Sequence, residues 1–158
     1  MTECDHLHTT PAGLAEVALD RALSEAERRC SDAGERMTAP RRRALELLLR
    51  AGKPMKAYDL IDNFGEDGQA AKPPTVYRAL DFLSRQGFAH RIESLNAYVA
   101  CAKGDETHVA AFLICDCCGE SQEIDPFEPG RVQAAAAEAG YVITGVTVEA
   151  HGRCAACV

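Results

Sequence analysis

At 158 residues the chain can form one ordinary domain or two small ones, and its 47% apolar and 26% charged residues exclude disorder as the overall state. The longest apolar run, Val109 to Cys115, is far short of the roughly 20 residues that cross a bilayer, and the first thirty residues lack a basic stretch followed by an apolar one. Neither a signal peptide nor a membrane anchor is expected, and the expected location is the cytoplasm. The net charge of −7 hides a split: Arg36 to Arg91 has eleven Lys/Arg against six Asp/Glu (+5), and from Cys101 onward there are three against nine (−6). This points to one module that meets a polyanion and another that does not; chance clustering on solvated helices is the competing reading. Eight cysteines in a reducing compartment point to metal ligands or redox centres rather than disulfides.

Residues 1–11 are polar, end in Pro11 and predict a flexible tail; its Cys4, His6 and His8 could hold a metal weakly, but without a scaffold an incidental cluster is the expected reading. From Ala12 to about Asp32, Leu14, Val17, Ala18, Ala22, Ala26 and Cys30 recur at helical spacing, with Gly34 as the stop. Thr38 is placed to cap a second helix, with Pro40 in its first turn, Ala44, Leu47, Leu48 and Ala51 on the buried stripe, and Gly52 at its end. Lys56 to Phe64 predicts a short third helix. Pro73 and Pro74 introduce a fourth, in which Val76, Leu80 and Leu83 face the core until Gly87. Short helices joined by brief turns in a basic stretch fit a helix-turn-helix. Phe88 to Glu93 and Ala97 to Cys101 follow as two strands around a turn at Leu95-Asn96, the β-wing of a winged helix.

The last third alternates differently, with strands over Val109 to Cys115, Ser121 to Ile124 and Tyr141 to Glu149 and an alanine-rich helix near Gly130 to Ala139. The expected fold is α+β: an N-terminal winged helix-turn-helix domain over 12–100, a hinge over 101–107, and a small α/β domain over 108–158.

The strongest motif is Cys115-x-x-Cys118 with Cys154-x-x-Cys157. Two such knuckles can close a tetrahedron of thiolates around zinc with no position left for substrate, so the site is structural rather than catalytic. In a domain this small the metal supplies folding free energy. Four ordinary buried cysteines or a redox dithiol are the alternatives, and a dithiol leaves the second pair unexplained. Cys117, between two ligands, is expected to point away from the metal. His151 is expected to hydrogen-bond near the knuckle rather than ligate.

His90, Cys101, His108 and Glu123 are left over. A two-residue wing turn pairs strand positions whose numbers sum to 191, which sets His90 opposite Cys101. A site using all four residues would join the two modules. One thiolate, two imidazoles and a carboxylate suit Zn²⁺ better than Mg²⁺ or Ca²⁺, and the thiolate disfavours Fe²⁺ or Mn²⁺. The competing reading is an ordinary wing histidine and an ordinary strand carboxylate. No enzyme is expected, because the chain lacks His-Glu-x-x-His, Gly-x-Ser-x-Gly and a phosphate-cradling glycine loop, and Ile114 precedes Cys115 where a zinc deaminase has proline.

Ala57-Tyr58-Asp59-Leu60, Ala71 to Phe82 (AKPPTVYRALDF), Gly87 to His90, Tyr98-Val99-x-Cys101, Phe112 to Gly119 and Glu149 to Val158 (EAHGRCAACV) together resemble the ferric uptake regulator superfamily, and within it the zinc uptake regulator branch. The resemblance implies a winged-helix DNA-binding domain joined to a dimerisation domain, in a homodimeric, zinc-dependent repressor of zinc-acquisition genes carrying two Zn²⁺ per protomer. It implies that Cys115, Cys118, Cys154 and Cys157 hold a structural zinc and that His90, Cys101, His108 and Glu123 form the regulatory site. Many iron and peroxide sensors of the superfamily have a histidine-rich run before the first knuckle. Here that stretch holds His108 alone, so neither a third metal site of that type nor iron sensing is expected.

On double-stranded operator DNA the fourth helix is the expected reader. Thr75, Tyr77, Arg78 and Asp81 lie off its core stripe, and Arg78 can bond guanine O6 and N7. The resemblance gives Arg78 and Tyr58 base contacts and Tyr77 a base or backbone contact. Lys72 and the run Arg41-Arg42-Arg43 are expected to neutralise phosphates. The alternatives are a family regulator that senses another metal or peroxide and, more distantly, a zinc-stabilised dimerisation or storage module without DNA function.

Overall fold

A computed structural model describes residues 13–65, 70–102, 109–125, 130–143 and 146–158. The chain divides into two compact units, one spanning Thr9–Glu106 and the other containing Thr107–Val158. The expected tail, most of the expected hinge, and His108 lie outside the described residues.

The first unit opens with α1 (Glu16–Asp32), whose buried stripe is Leu19, Leu23, Ala26 and Cys30. The predicted face is therefore corrected at its start: Val17 is 85% exposed, and Leu14 and Ala18 are also exposed. Two apolar series run along this helix, and the one carrying two leucines has the larger area to remove from water. Helix α2 (Ala39–Ala51) has Thr38 at its N-cap position and Pro40 in its first turn, but Thr38 makes no side-chain cap bond. Its carbonyl instead accepts the amide of Arg42 at 2.9 Å. Leu45 is buried with Ala44 and Leu48, while Leu47 and Ala51 are only half-buried. Gly52 ends α2 in the left-handed region at φ 59°, a conformation that costs a side-chain-bearing residue strain.

The third helix, α3, is shorter than expected, Ala57–Asp62, because Lys56 joins Met55 in a short strand, β1 (Met55–Lys56). Helix α4 (Pro73–Arg85) buries Val76, Ala79, Leu80, Phe82 and Leu83, and packs on α2 and α3. Strands β2 (Ala89–Ile92) and β3 (Ala97–Ala100) form the wing, and β1 pairs on the other side of β3 to give the order β1-β3-β2. One apolar cluster joins α1, α2, α3, α4 and the wing, with Leu19, Leu48, Leu60, Leu80 and Leu83 almost wholly removed from water.

The wing register differs from the expected one. Ala89 pairs with Ala100 and His90 with Val99, so paired numbers sum to 189. Four residues, Glu93 to Asn96, make the turn, closed by the Asn96 amide on the Glu93 carbonyl at 3.1 Å with Asn96 at φ 46°. Asparagine tolerates that left-handed backbone, which releases the hairpin from a two-residue turn. Cys101 lies opposite Phe88, whose carbonyl accepts its amide at 2.9 Å.

In the second unit β4 (Ala110–Cys115) is the central strand, antiparallel to β5 (Ser121–Ile124) and parallel to β6 (Thr147–Gly152). Helix α5 (Gly130–Glu138) lies between β5 and β6 in sequence. The strand expected over Tyr141 to Glu149 is displaced toward the C-terminus: residues 141–143 are not in a strand, and pairing begins at Thr147. The partner strand sets this position, since Ile114 pairs with His151 and Cys115 with Gly152.

Candidate metal centre and nucleic-acid interface

Strands β4 and β6 run parallel and end side by side, so the chain segments leaving them meet. Cys115 closes β4 and enters a tight turn, in which the Gly119 amide bonds the Cys115 carbonyl at 2.8 Å and the Cys115 amide bonds the Glu120 carbonyl at 2.9 Å. Beyond β6 a second turn is closed by the Cys157 amide on the Cys154 carbonyl at 2.8 Å. The Sγ atoms of Cys115, Cys118, Cys154 and Cys157 all lie within 4.8 Å of one another, with Cys118 Sγ 3.8 Å from Cys154 Sγ. A tetrahedron with Zn–S bonds of about 2.3 Å has sulfur–sulfur edges of about 3.8 Å. The donor set therefore fits zinc in number, chemistry and spacing.

The electrostatics of the knuckles favour thiolate at one ligand. Backbone N–H groups of Cys118 and Cys154 directed at the Cys115 sulfur pull its pKa down to about 6, and the Cys154 N–H lies 3.3 Å from that sulfur. Burial moves Cys118 the other way, so a metal would have to draw off that proton. Cys117 is exposed and stands outside the sulfur cluster.

His151, on β6, directs Nδ1 to Asp116 Oδ1 at 2.8 Å, and its Nε2 is 3.8 Å from Glu149 Oε2. The expected hydrogen bond near the knuckle has Asp116 as its partner. Asp116 carried no separate signal in sequence beyond its place between two ligand cysteines.

In the first unit, a ring nitrogen of His90 and the Sγ of Cys101 lie within 4.8 Å of each other, both half-buried. They are diagonal rather than directly opposed. A register change of two preserves side-chain parity, so both still project from one face of the wing. Glu123 sits on β5 of the second unit opposite Phe112.

The proposed DNA-contact residues are unevenly available. Tyr58 on α3 and Tyr77 on α4 are 58% and 48% exposed, large aromatic areas left in water. Arg78 is exposed one position on, and Lys72 is exposed at the N-cap position of α4. Thr75 is half-buried, its amide bonded to the Lys72 carbonyl at 2.9 Å.

The arginine run of α2 is engaged within the unit. Arg41 stacks on the Phe82 ring at 3.4 Å and donates to the Arg36 carbonyl. Arg42 pairs with Glu27 of α1 at 2.8 Å. Arg43 donates to the carbonyls of Phe64 and Asn63 at 2.9 and 3.2 Å and pairs with Glu46. The run thus ties α2 to its neighbours, a role invisible in a string of three like charges.

Among the described residues no helix is long and apolar enough to cross a membrane. The chain is 44% identical over 138 residues to the zinc uptake regulation proteins of Escherichia coli (strain K12) and Shigella flexneri, covering 86% of this chain and 81% of each relative. Among solved structures it is similar to a zinc uptake regulator complexed with zinc and DNA, with 42% identity, a TM-score of 0.81, and coverage of 88% of this chain and 94% of that one. It is also similar to holo XcZur, with 43% identity, a TM-score of 0.79, and coverage of 87% and 97%. The model of the ferric uptake regulator family matches residues 32–151, which take in α4, the wing, the first knuckle and most of β6. With the helical trio, the wing and the paired knuckles all inside or adjoining that match, the chain belongs to the ferric uptake regulator family, a family of transcriptional regulators.

Proposed function

We propose that the protein is a zinc-responsive, DNA-binding transcriptional repressor of zinc-uptake genes, acting in the cytoplasm as a homodimer on double-stranded operator DNA, without enzymatic activity. The observation that carries this reading is the similarity, over most of the chain, to a regulator solved with both zinc and DNA.

Two zinc ions are assigned to each protomer. The first belongs to Cys115, Cys118, Cys154 and Cys157, where four thiolates leave no open position and the metal's contribution is folding free energy. The second belongs to His90, Cys101, His108 and Glu123, a set drawn from both units with the hinge at 101–107 between them. Its mixed N, S and O donors suit Zn²⁺. The pairing of His90 and Cys101 on one face of the wing supports half of this set.

Helix α4 is the reader. Arg78 is assigned a bidentate contact to guanine, Tyr58 and Tyr77 contacts to bases or sugars, and Thr75 and Lys72 contacts to phosphate near the start of the helix. Arg41 contributes charge while its guanidinium stays on Phe82. Homodimerisation is supported by an exposed apolar surface in the second unit: Leu113 and Val148 project from one face of the sheet, and α5 buries no residue of its own.

Zinc held by ligands of both units restricts the orientations open to the two DNA-binding units of a dimer and favours those that match half-sites about one helical turn apart. A coupling of about 1–3 kcal/mol per site is typical of allostery, and by linkage operator DNA tightens zinc binding equally. Fluorescence anisotropy of operator DNA across buffered free zinc, with zinc counted per protomer, tests the reading. Affinity is expected to rise steeply as the count moves from one to two. A flat response across that step overturns the sensor assignment.

A further inference from the structure

The bond between His151 and Asp116 joins two segments that carry zinc ligands. Asp116 lies between Cys115 and Cys118, and His151 lies three residues before Cys154. The link is double: besides the 2.8 Å side-chain bond, the Asp116 amide donates to the Gly152 carbonyl at 2.8 Å. Glu149 stands 3.8 Å from the other ring nitrogen, so the imidazole is bracketed by carboxylates on β6 and on the first knuckle. Neither Asp116 nor His151 belongs to the sulfur cluster. Both are partly exposed, and an isolated pair so exposed contributes little to stability. Here, however, the pair spans the gap that must open before one knuckle can part from a metal shared with the other.

We infer that Asp116 and His151 are positioning residues of the four-thiolate centre, a clamp that holds the two knuckles at ligand spacing and sets how slowly the centre gives up zinc. The inference rests on the assignment of zinc to these four cysteines. The clamp acts on the probability that the two knuckles separate, because a sulfur that dissociates while the knuckles stay joined rebinds before a competitor takes the metal. Outer partners that orient metal ligands typically contribute about 10–100-fold in metal affinity.

The test is zinc release from the full-length chain into excess chromogenic chelator, in a Cys101→Ser background so that only the four-thiolate zinc is counted. His151→Ala and Asp116→Ala are each expected to speed release about tenfold, and the double variant to release no faster than either single, since both remove one bond. Asp116→Asn, which keeps an acceptor but loses charge, is expected to fall between, and His151→Asn, which keeps an amide donor near the Nδ1 position, to restore much of the retention. The Co²⁺-loaded variants are expected to show the wild-type thiolate charge-transfer band, which separates a faster exit from a misfolded site. Release at the wild-type rate in both single variants overturns the clamp, as does acceleration that multiplies in the double variant. If Cys154→Ser retains as much zinc as its parent, the four-thiolate assignment itself fails, and the clamp with it.

Discussion

Cys118 and Cys154 bring their sulfur atoms to 3.8 Å across 36 residues of chain, at the ends of two strands that run parallel. The core around them is thin: β4 buries Ala110, Ala111, Phe112 and Ile114, but α5 buries nothing and no residue of β6 is buried. A unit with so thin a core depends on a cross-link at this point. Chelation at neutral pH, or Cys154→Ser, is therefore expected to abolish hydrogen-exchange protection in β4 and β6 while the amides of α2 and α4 stay protected. Simultaneous loss of protection in both units would show that the cross-link acts on the whole chain.

His90→Ala and Cys101→Ser are expected to lower the zinc count from two to one per protomer and to remove the dependence of operator affinity on zinc. Thermal unfolding of the first unit should change little, since neither side chain belongs to its apolar cluster. Operator binding that stays fully zinc-responsive in both variants would remove these residues from the sensor.

Arg78 and Lys72 should separate by salt dependence. Arg78→Ala is expected to cost about 1–3 kcal/mol of operator affinity and to relax preference at one base pair. Lys72→Ala is expected to weaken binding to all sequences alike and to lower the log–log salt slope by about 0.9. Salt titrations against operator and scrambled DNA distinguish the two roles.

Arg43→Ala is expected to destabilise the first unit by about 1.5–3 kcal/mol, the range for hydrogen bonds made by a charged group, because it leaves the carbonyls of Asn63 and Phe64 without this donor. The salt slope of DNA binding should not change. A fall of about 0.9 in that slope would instead return Arg43 to the phosphate-contact role that its sequence neighbourhood suggests.

Gly13 meets the end of α2 so closely that a Cβ there would lie 1.7 Å from the Arg50 carbonyl oxygen, next to the bond from the Leu14 amide to the Leu49 carbonyl at 3.3 Å. Gly13→Ala is expected to force α1 away from α2 and cost about 1–3 kcal/mol, the usual range for overpacking. Denaturant melts of the zinc-loaded chain measure it.

Sequence by itself determined what depends on neighbours along the chain. Helix stops at Gly52 and Gly87, the prolines opening α4, its core stripe at Val76, Leu80 and Leu83, and the two cysteine knuckles all follow from spacing over a few residues, where backbone and side-chain preferences act directly. The resemblance of AKPPTVYRALDF and EAHGRCAACV to a known family was legible for the same reason. Tertiary structure alone decided what depends on distant partners. It selected Leu19 and Leu23 over Leu14 and Val17 because α1 presents to the core the face with more area to bury. It moved the wing register by two and set β6 against β4 at Thr147, because a ladder is chosen by its partner strand as well as by its own alternation. It tied three arginines to Glu27, Phe64 and Phe82, and it joined Asp116 to His151. Their partners lie 15 or more residues away along the chain, so only the packed chain could specify them.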